Sequence, residues 1–340
     1  MAKVTLQDIA AQVGLSKYAV SRALAGKGGV SDSTRELITA AANQLGYARA
    51  TPRRNSVEIQ LIFHDHDPVN SELAMQIQSG VQSEAASAGV TLRMGWTHDA
   101  EQVRHLASET SGAILFGPHS PDALEALRSV GRPMVRIGWL SPLEQIDQVM
   151  GADHESGAAV GEYLGRLGHR QIAYVEGQSG FRGRKERLYG LRETAEYQYG
   201  ATIHELSFAE NSGFLESFLA LQAKGVEVTA FFCAHDGLAV TVVSEMLRLG
   251  YNIPDDMTVI GYGDFSAAKH ITPQLTTVHL PGRDMGIAAV RMLLDRMRFG
   301  PRNIGSSQRL YLAPRIVERA SSAPARLLPE KLPVRKRERK

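Results

Sequence analysis

Residues 4–47, VTLQDIAAQVGLSKYAVSRALAGKGGVSDSTRELITAAANQLGY, hold three short helical patterns, and no other stretch so tightly limits what its region can fold into. Thr5 and Asp8 stand three apart, the spacing of a capping box, just before an apolar-periodic run. Leu6, Ile9, Ala10 and Val13 then recur on one helical face. Gly14 supplies a residue able to turn left-handed and stop that helix. Leu15 packs into the turn, and Ser16 caps a second helix that carries Val20 and Leu24 inward. A third helix starts near Ser31 to Ser33. Glu36 is expected to complete a second capping box there, and Leu37, Ile38, Ala41 and Leu45 to be buried.

A helix, a turn of about four residues around a glycine and a second helix make a helix-turn-helix. In that plan the second helix enters the major groove with its N-terminal side chains on base edges. Ala10 is small enough for the two helices to cross closely. Lys17, Tyr18, Ser21 and Arg22 point outward from the second helix. DNA contacts are therefore expected from Thr5, Ser16, Lys17, Tyr18, Ser21, Arg22, Lys27 and Arg35, with Arg53 and Arg54 on the linker behind them. The bland account of the same residues is a three-helix cap with a solvated polar face.

The charge distribution supports the first account. Residues 1–56 carry eight Lys/Arg against three Asp/Glu, and residues 326–340 carry seven against two. The whole chain is only +2, so the part between is acidic. A basic head on an acidic body suits a nucleic-acid-binding module attached to a domain with another task. The tail RLLPEKLPVRKRERK has no periodicity and reads as disordered and solvated. A single cysteine, Cys233 in the apolar run AFFCA, permits no internal disulfide and reads as a buried small residue. No stretch resembles a signal peptide or a membrane span, so a cytoplasmic, nucleoid-associated protein is expected.

From Val57 onward, strand and helix patterns alternate. The strand-like runs are VEIQLIF, VTLRMG, GAILFG, PMVRIG, QIAYVEG, ATIHEL, AFFCA, MTVIGY and LTTVHL. Amphipathic helices are expected at about 72–88, 121–130, 154–166, 184–199, 213–224, 236–249 and 284–298. Such alternation implies parallel sheets covered on both faces. Some 260 residues exceed one doubly wound sheet, so two Rossmann-like lobes facing a cleft are expected. The fold class is thus an all-α helix-turn-helix head joined to an α/β body. Ligands in such bodies sit beyond the carboxyl ends of strands. The residues there include His64-Asp65-His66-Asp67, Gly138-Trp139, Asp153-His154, His235-Asp236, Gly263-Asp264 and Phe208, with Arg187 in the helix after IAYVEG.

The head closely resembles the N-terminus of the lactose-repressor and galactose-repressor (LacI/GalR) family of bacterial transcription regulators. Thr5, Asp8, Ile9, Ala10, Gly14, Ser16, Val20, Ser21, Arg22, Val30, Ser31, Thr34, Arg35, Ala41, Leu45, Gly46 and Tyr47 carry the likeness. It continues through GRLGHRQIAYVEG, ERLYGL, IPDDMTVIGYGDF and PQLTTV, over about nine-tenths of the chain. The resemblance implies a body like that of periplasmic sugar-binding proteins, with three crossovers between lobes. It divides the chain into a head at 1–47, a linker at 48–56, an effector-binding and dimerisation body at 57–322, and a basic disordered tail at 323–340. The first lobe would span about 57–152 and 281–303, the second about 153–280 and 304–322.

By the same resemblance the protein is a homodimer on a pseudo-palindromic DNA operator, answering to a sugar, sugar acid or sugar phosphate. It needs no cofactor or metal and is not an enzyme. Arg187 with Gly190 matches the family's effector-binding R-x-x-G, and Phe208 the aromatic that stacks on the effector. Asp65, Trp139, His235 and Asp264 complete the expected effector site. Three positions depart from the family: His235 stands for an Asn, and Gly263 and Gly138 for Asp. These departures favour an acidic or phosphorylated ligand, while Asp264, Asp153 and water could equally serve a neutral sugar. The linker ARATPRRNS lacks the leucine that the family wedges into the minor groove.

Two other classes are open to test. The His/Asp pairs at 64–67, 153–154 and 235–236 could hold a metal for hydrolysis if they converged. No HExxH, phosphate-cradling GxxxxGK or GxSxG pattern accompanies them. A transport-type sugar receptor would share the two-lobed body but needs a secretory signal where this chain has its basic head.

Overall fold

The computed structural model describes residues 4–24, 29–45, 47, 57–65, 71–208, 213–299 and 305–326. Lys27, the linker 48–56 with Arg53 and Arg54, the pair His66 and Asp67, and the tail from 327 lie outside the described residues. The chain forms two compact units, residues 1–56 and 57–340.

The head packs α1 (Leu6–Val13), α2 (Lys17–Leu24) and α3 (Asp32–Gln44) around Ile9, Val20 and Ile38, all fully buried. Thr5 and Asp8 close a reciprocal capping box, so both orphan amides at that end find a side-chain acceptor. Gly14 ends α1 at φ 64°, a conformation that costs a Cβ-bearing residue energy. Ser16 Oγ accepts from the Ala19 amide at 3.2 Å. Two expectations fail at α3. Ser31 is its cap and accepts from Thr34, so Glu36 lies beyond the position that could close a box. Leu37 is 55% exposed, because the buried stripe runs through Ile38, Ala41 and Ala42 instead.

The body opens with β1 (Glu58–Phe63), α4 (Ser71–Ser87), β2 (Thr91–Trp96), α5 (Ala100–Ser108), β3 (Gly112–Phe116), α6 (Pro121–Ser129), β4 (Met134–Ile137) and β5 (Asp147–Gly151). It continues through α7 (Asp153–Arg166), β6 (Gln171–Gly177), α8 (Arg182–Tyr199), β7 (Thr202–Ser207), α9 (Phe214–Ala223), β8 (Ala230–Cys233), α10 (Asp236–Arg248), β9 (Thr258–Gly263), α11 (Ser266–His270) and β10 (Thr276–His279). The chain then runs α12 (Gly282–Phe299), β11 (Arg309–Leu312) and β12 (Arg315–Val317). The strands make two sheets, ordered β11-β5-β4-β3-β1-β2 and β12-β10-β9-β8-β6-β7. All pairings are parallel except β10 with β12. Central strands such as β3 and β9 are buried along their whole length, as a sheet covered on both faces requires.

The chain crosses between lobes after β5, after β10 and after β11. The last crossing corrects the expected boundary: residues 309–312 belong to the first lobe, not the second. Asp147 causes this. Its carboxylate takes the Arg296 guanidinium from α12 and the Gln308 amide at 2.7 Å, which seats β11 beside β5. Residues 323–326, expected in the tail, are bonded to the body. Ala323 and Ala325 hydrogen-bond to Thr258, His169 and Leu167, and Arg326 pairs with Asp256 at 2.7 Å. Five elements that the patterns did not signal are α5, β5, α11, β11 and β12; the strands among them are short or carry charges at their starts.

Helices α7 and α8 touch backbone to backbone. A Cβ on Gly157 would meet the Arg187 carbonyl at 1.9 Å, and one on Gly190 the His154 carbonyl at 1.9 Å. The glycine of the R-x-x-G motif is therefore a packing residue. It brings the arginine of the same motif against the start of α7.

Candidate functional site

In the head, Lys17, Tyr18 and Ser21 are exposed along α2, and Tyr18 is 70% accessible. Arg22 is half-buried one turn on; its Nη1 donates to the Tyr18 hydroxyl at 3.0 Å and its guanidinium lies 5.5 Å from that ring's centre. This local pairing orders two long side chains before any partner arrives. Thr5 and Ser16 are exposed beside them, each spending its oxygen on a cap. Arg35 is half-buried and donates to the Ala23 carbonyl at 3.4 Å, which ties α3 to the end of α2.

The body holds a cavity of about 410 Å³ lined from both lobes, within the size range of small-molecule sites. Asp153, at the start of α7, is the hub of its second-lobe wall. Its Oδ1 accepts from Arg187 at 2.5 Å and from the Tyr262 hydroxyl at 2.8 Å, and its Oδ2 accepts from Trp139 Nε1 at 3.0 Å. The Arg187 guanidinium also lies 3.9 Å from the Tyr262 ring centre. Burial opposes the Arg187 charge, but Asp153, with Tyr262 and Tyr174, outweighs it and raises its pKa. Trp139 belongs to the first lobe, so its bond to Asp153 spans the two.

His235 caps α10 by accepting the Leu238 amide at Nδ1, 3.3 Å away. Its proton is thereby assigned to Nε2, which is buried and has no partner. Burial, then the charges of Arg184 and Arg187, hold its pKa down to about 3. His235 thus offers the cavity a neutral N–H rather than a positive charge. On the first-lobe wall, His119 donates through Nε2 to the Thr97 carbonyl at 2.9 Å, leaving Nδ1 open as an acceptor. Burial and the nearby Arg136 lower its pKa to about 4. Arg136 itself stands on β4, 4% exposed, and Nη2 donates to the Gly117 carbonyl. Its Nε and Nη1 have no partner.

Of the residues expected at the effector site, Trp139, Arg187 and His235 line this cavity. Three others are not among its described lining. Asp65 turns to His98, 2.9 Å away. Phe208 packs edge-on to Phe214 and joins the hydrophobic core. Asp264, at φ 58° after Gly263, is directed to Arg319 at 2.5 Å and His279 at 3.2 Å. Each of these strand-end residues is engaged by another part of the protein. The metal alternative is not supported among the described residues. His154 pairs with Glu193, and Asp236 is buried against Thr277 and the Phe265 amide, so the paired residues serve other bonds. No group of three such ligands converges among the described residues.

Arg136, His119 and Tyr262 are lining residues that the sequence reading does not single out, and Asp153 enters it only as a strand-end residue that could serve a neutral sugar. His119 follows β3 and was open to the strand-end rule. Arg136 also left a signal, a lone charge inside the apolar run PMVRIG.

Comparison with known proteins finds relatives that cover most of the chain. Residues 5–50 match the model of bacterial regulatory proteins of the lacI family, and residues 162–322 that of a periplasmic binding protein-like domain. The HTH-type transcriptional regulator MalR of Streptomyces coelicolor is 30% identical over 336 residues, covering 94% of this chain and 97% of that one. The HTH-type transcriptional repressor PurR of Erwinia tasmaniensis is 29% identical with the same coverage of each. The solved complex of the transcriptional regulator CelR with cellobiose is 26% identical with a TM-score of 0.68, covering 94% of this chain and all of that one. The lac repressor dimer bound to operator and an anti-inducer shares the fold at 22% identity and a TM-score of 0.73, over 95% of this chain and all of that one. No helix among the described residues is long and apolar enough to cross a membrane. The chain belongs to the lacI family of bacterial regulatory proteins, DNA-binding transcription regulators that answer to a small effector.

Proposed function

We propose that this protein is a homodimeric repressor whose α2 reads operator bases through Lys17, Tyr18 and Arg22, and whose two-lobed cleft binds the effector against Arg187, His235 and Trp139. The observation that carries the reading is the exposed row on α2, where the Tyr18 hydroxyl already holds Arg22. A guanidinium presented this way can bridge O6 and N7 of a guanine. Two such heads on a dimer meet two half-sites of a pseudo-palindrome. The effector acts by preferring one arrangement of the lobes, and its differential affinity sets the size of the response.

An operator selected by the purified protein from a random-sequence library tests this. Arg22→Ala should weaken the best half-site by about 1–3 kcal/mol and relax selectivity at one base position. A uniform loss across all sequences, with the half-site profile unchanged, removes α2 from base reading.

A further inference from the structure

The cavity's unused hydrogen-bonding groups are unequal in kind. Among the described lining residues, the buried side-chain atoms without a partner are Arg136 Nε and Nη1, Arg187 Nε, His235 Nε2 and His119 Nδ1. All but the last are donors. The charges are unequal too. Arg187 is matched by Asp153 at 2.5 Å, and Arg182 by Glu186 at 2.5 Å. Arg136 forms no ion pair among the described residues, although it is 4% exposed between Val135 and Ile137 on β4; Glu144 is the acidic group that favours its charge, without pairing with it. A buried guanidinium with open N–H groups is costly unless an anion completes it. Gly138 keeps the approach clear: a Cβ there would find only Arg136 Nε, at 4.0 Å.

We propose that the cleft takes a small polyhydroxylated organic anion, its carboxylate or phosphate seated on Arg136 and its remaining oxygens on Arg187 and His235. This rests on the reading of the cleft as the effector site and assigns the ligand's chemical class. Recognition of the charge lies on the first lobe; on the second, Arg187 is paired with Asp153, Arg184 donates to the Glu176 and Gln178 carbonyls, and His235 offers a neutral N–H. A ligand bound to Arg136 and His235 together bridges β4 and α10, and so the two lobes. The anion thereby couples charge recognition to lobe arrangement.

The test uses full-length protein, calorimetry and thermal shift, at constant ionic strength in chloride. The probes are inorganic phosphate, sulfate, D-gluconate, D-glucuronate, glucose 6-phosphate and neutral D-glucose. The oxyanions should raise the melting temperature of the wild-type protein, and glucose should not. Arg136→Met should weaken oxyanion binding at least tenfold. Arg136→Lys should keep the preference for anions at reduced affinity, which also guards against a folding defect in the first variant. Gluconate or glucuronate exceeding glucose 6-phosphate identifies a carboxylate, and the reverse a phosphate. Absence of any oxyanion effect in the wild type overturns the proposal, as does full retention of that effect in Arg136→Met, or a response to glucose alone. The selected operator separates the two levels. If oxyanions bind but operator affinity does not change, the anion site stands and the regulatory reading of the cleft fails. If operator affinity responds only to neutral sugar, that reading stands and the anion proposal fails.

Discussion

Arg136 and Arg187, two of the three buried arginines that line the cavity, stand on walls that differ in what they leave undone. On the second-lobe wall Arg187 meets a carboxylate, stacks on a tyrosine ring and is seated by a glycine contact between helices. On the first-lobe wall Arg136 meets a single backbone carbonyl. The first arrangement has its charge paired without ligand and keeps only Nε open, so it shapes the cleft. The second is incomplete, so it selects what enters. Family likeness directs attention to Arg187, yet its charge is already spent. A residue that touches a ligand and a residue that discriminates between ligands need not be the same.

The sharpest way to break this comparison is Arg187→Ala. Removing one partner strands the Asp153 carboxylate in the interior, and the loss should be about 3–5 kcal/mol. Urea denaturation measures it. A loss below about 1 kcal/mol would mean that Asp153 is easily rehydrated and the wall is not built around the pair. Adding Asp153→Asn should recover part of the loss, because the stranded charge is then gone.

Arg136→Met should move stability the other way. Replacing a buried charge that has no ion-pair partner among the described residues by an apolar side chain of similar length is neutral to stabilising, by up to about 1–4 kcal/mol. Destabilisation of the unliganded protein by this substitution would show that Arg136 is a structural residue like Arg187. Gly190→Ala probes the seating of Arg187 without touching its charge. The added methyl would meet the His154 carbonyl, and overpacking of this kind costs about 1–3 kcal/mol. A neutral result would show that α7 and α8 can separate cheaply and that the motif's glycine has no packing role.

The smallest expected effect is on pH dependence. The pKa of His235 is depressed from 6.5 to about 3, so the folded state binds fewer protons than the unfolded one between those values. Its contribution is present above pH 6.5 and is lost as pH falls through that window. His119, depressed to about 4, acts in the same sense. His235→Asn, which keeps a side chain able to cap α10, should flatten the fall in melting temperature between pH 6.5 and 4. An unchanged slope would place the acid sensitivity elsewhere.

Much of this molecule is legible residue by residue. The capping box at Thr5, the left-handed Gly14 and the outward row on α2 depend on contacts three or four residues apart, so the local pattern determines them. The alternation of strands and helices likewise follows from periodicity, and the strand-end residues Trp139 and His235 line the cavity. Asp65, Phe208 and Asp264 also stand at strand ends but are engaged by His98, the core and Arg319. The lobe to which residues 309–312 belong is decided by Asp147, more than 150 positions earlier. Asp153 reaches Arg187 across 34 positions and Tyr262 across 109, and only the folded chain brings these together. Sequence alone determined which side chains could carry charge into the cleft. Tertiary structure decided which of those charges is still unspent there, because a buried ion's state is set by desolvation and by its nearest counter-charge, and neither is a property of its neighbours in the chain.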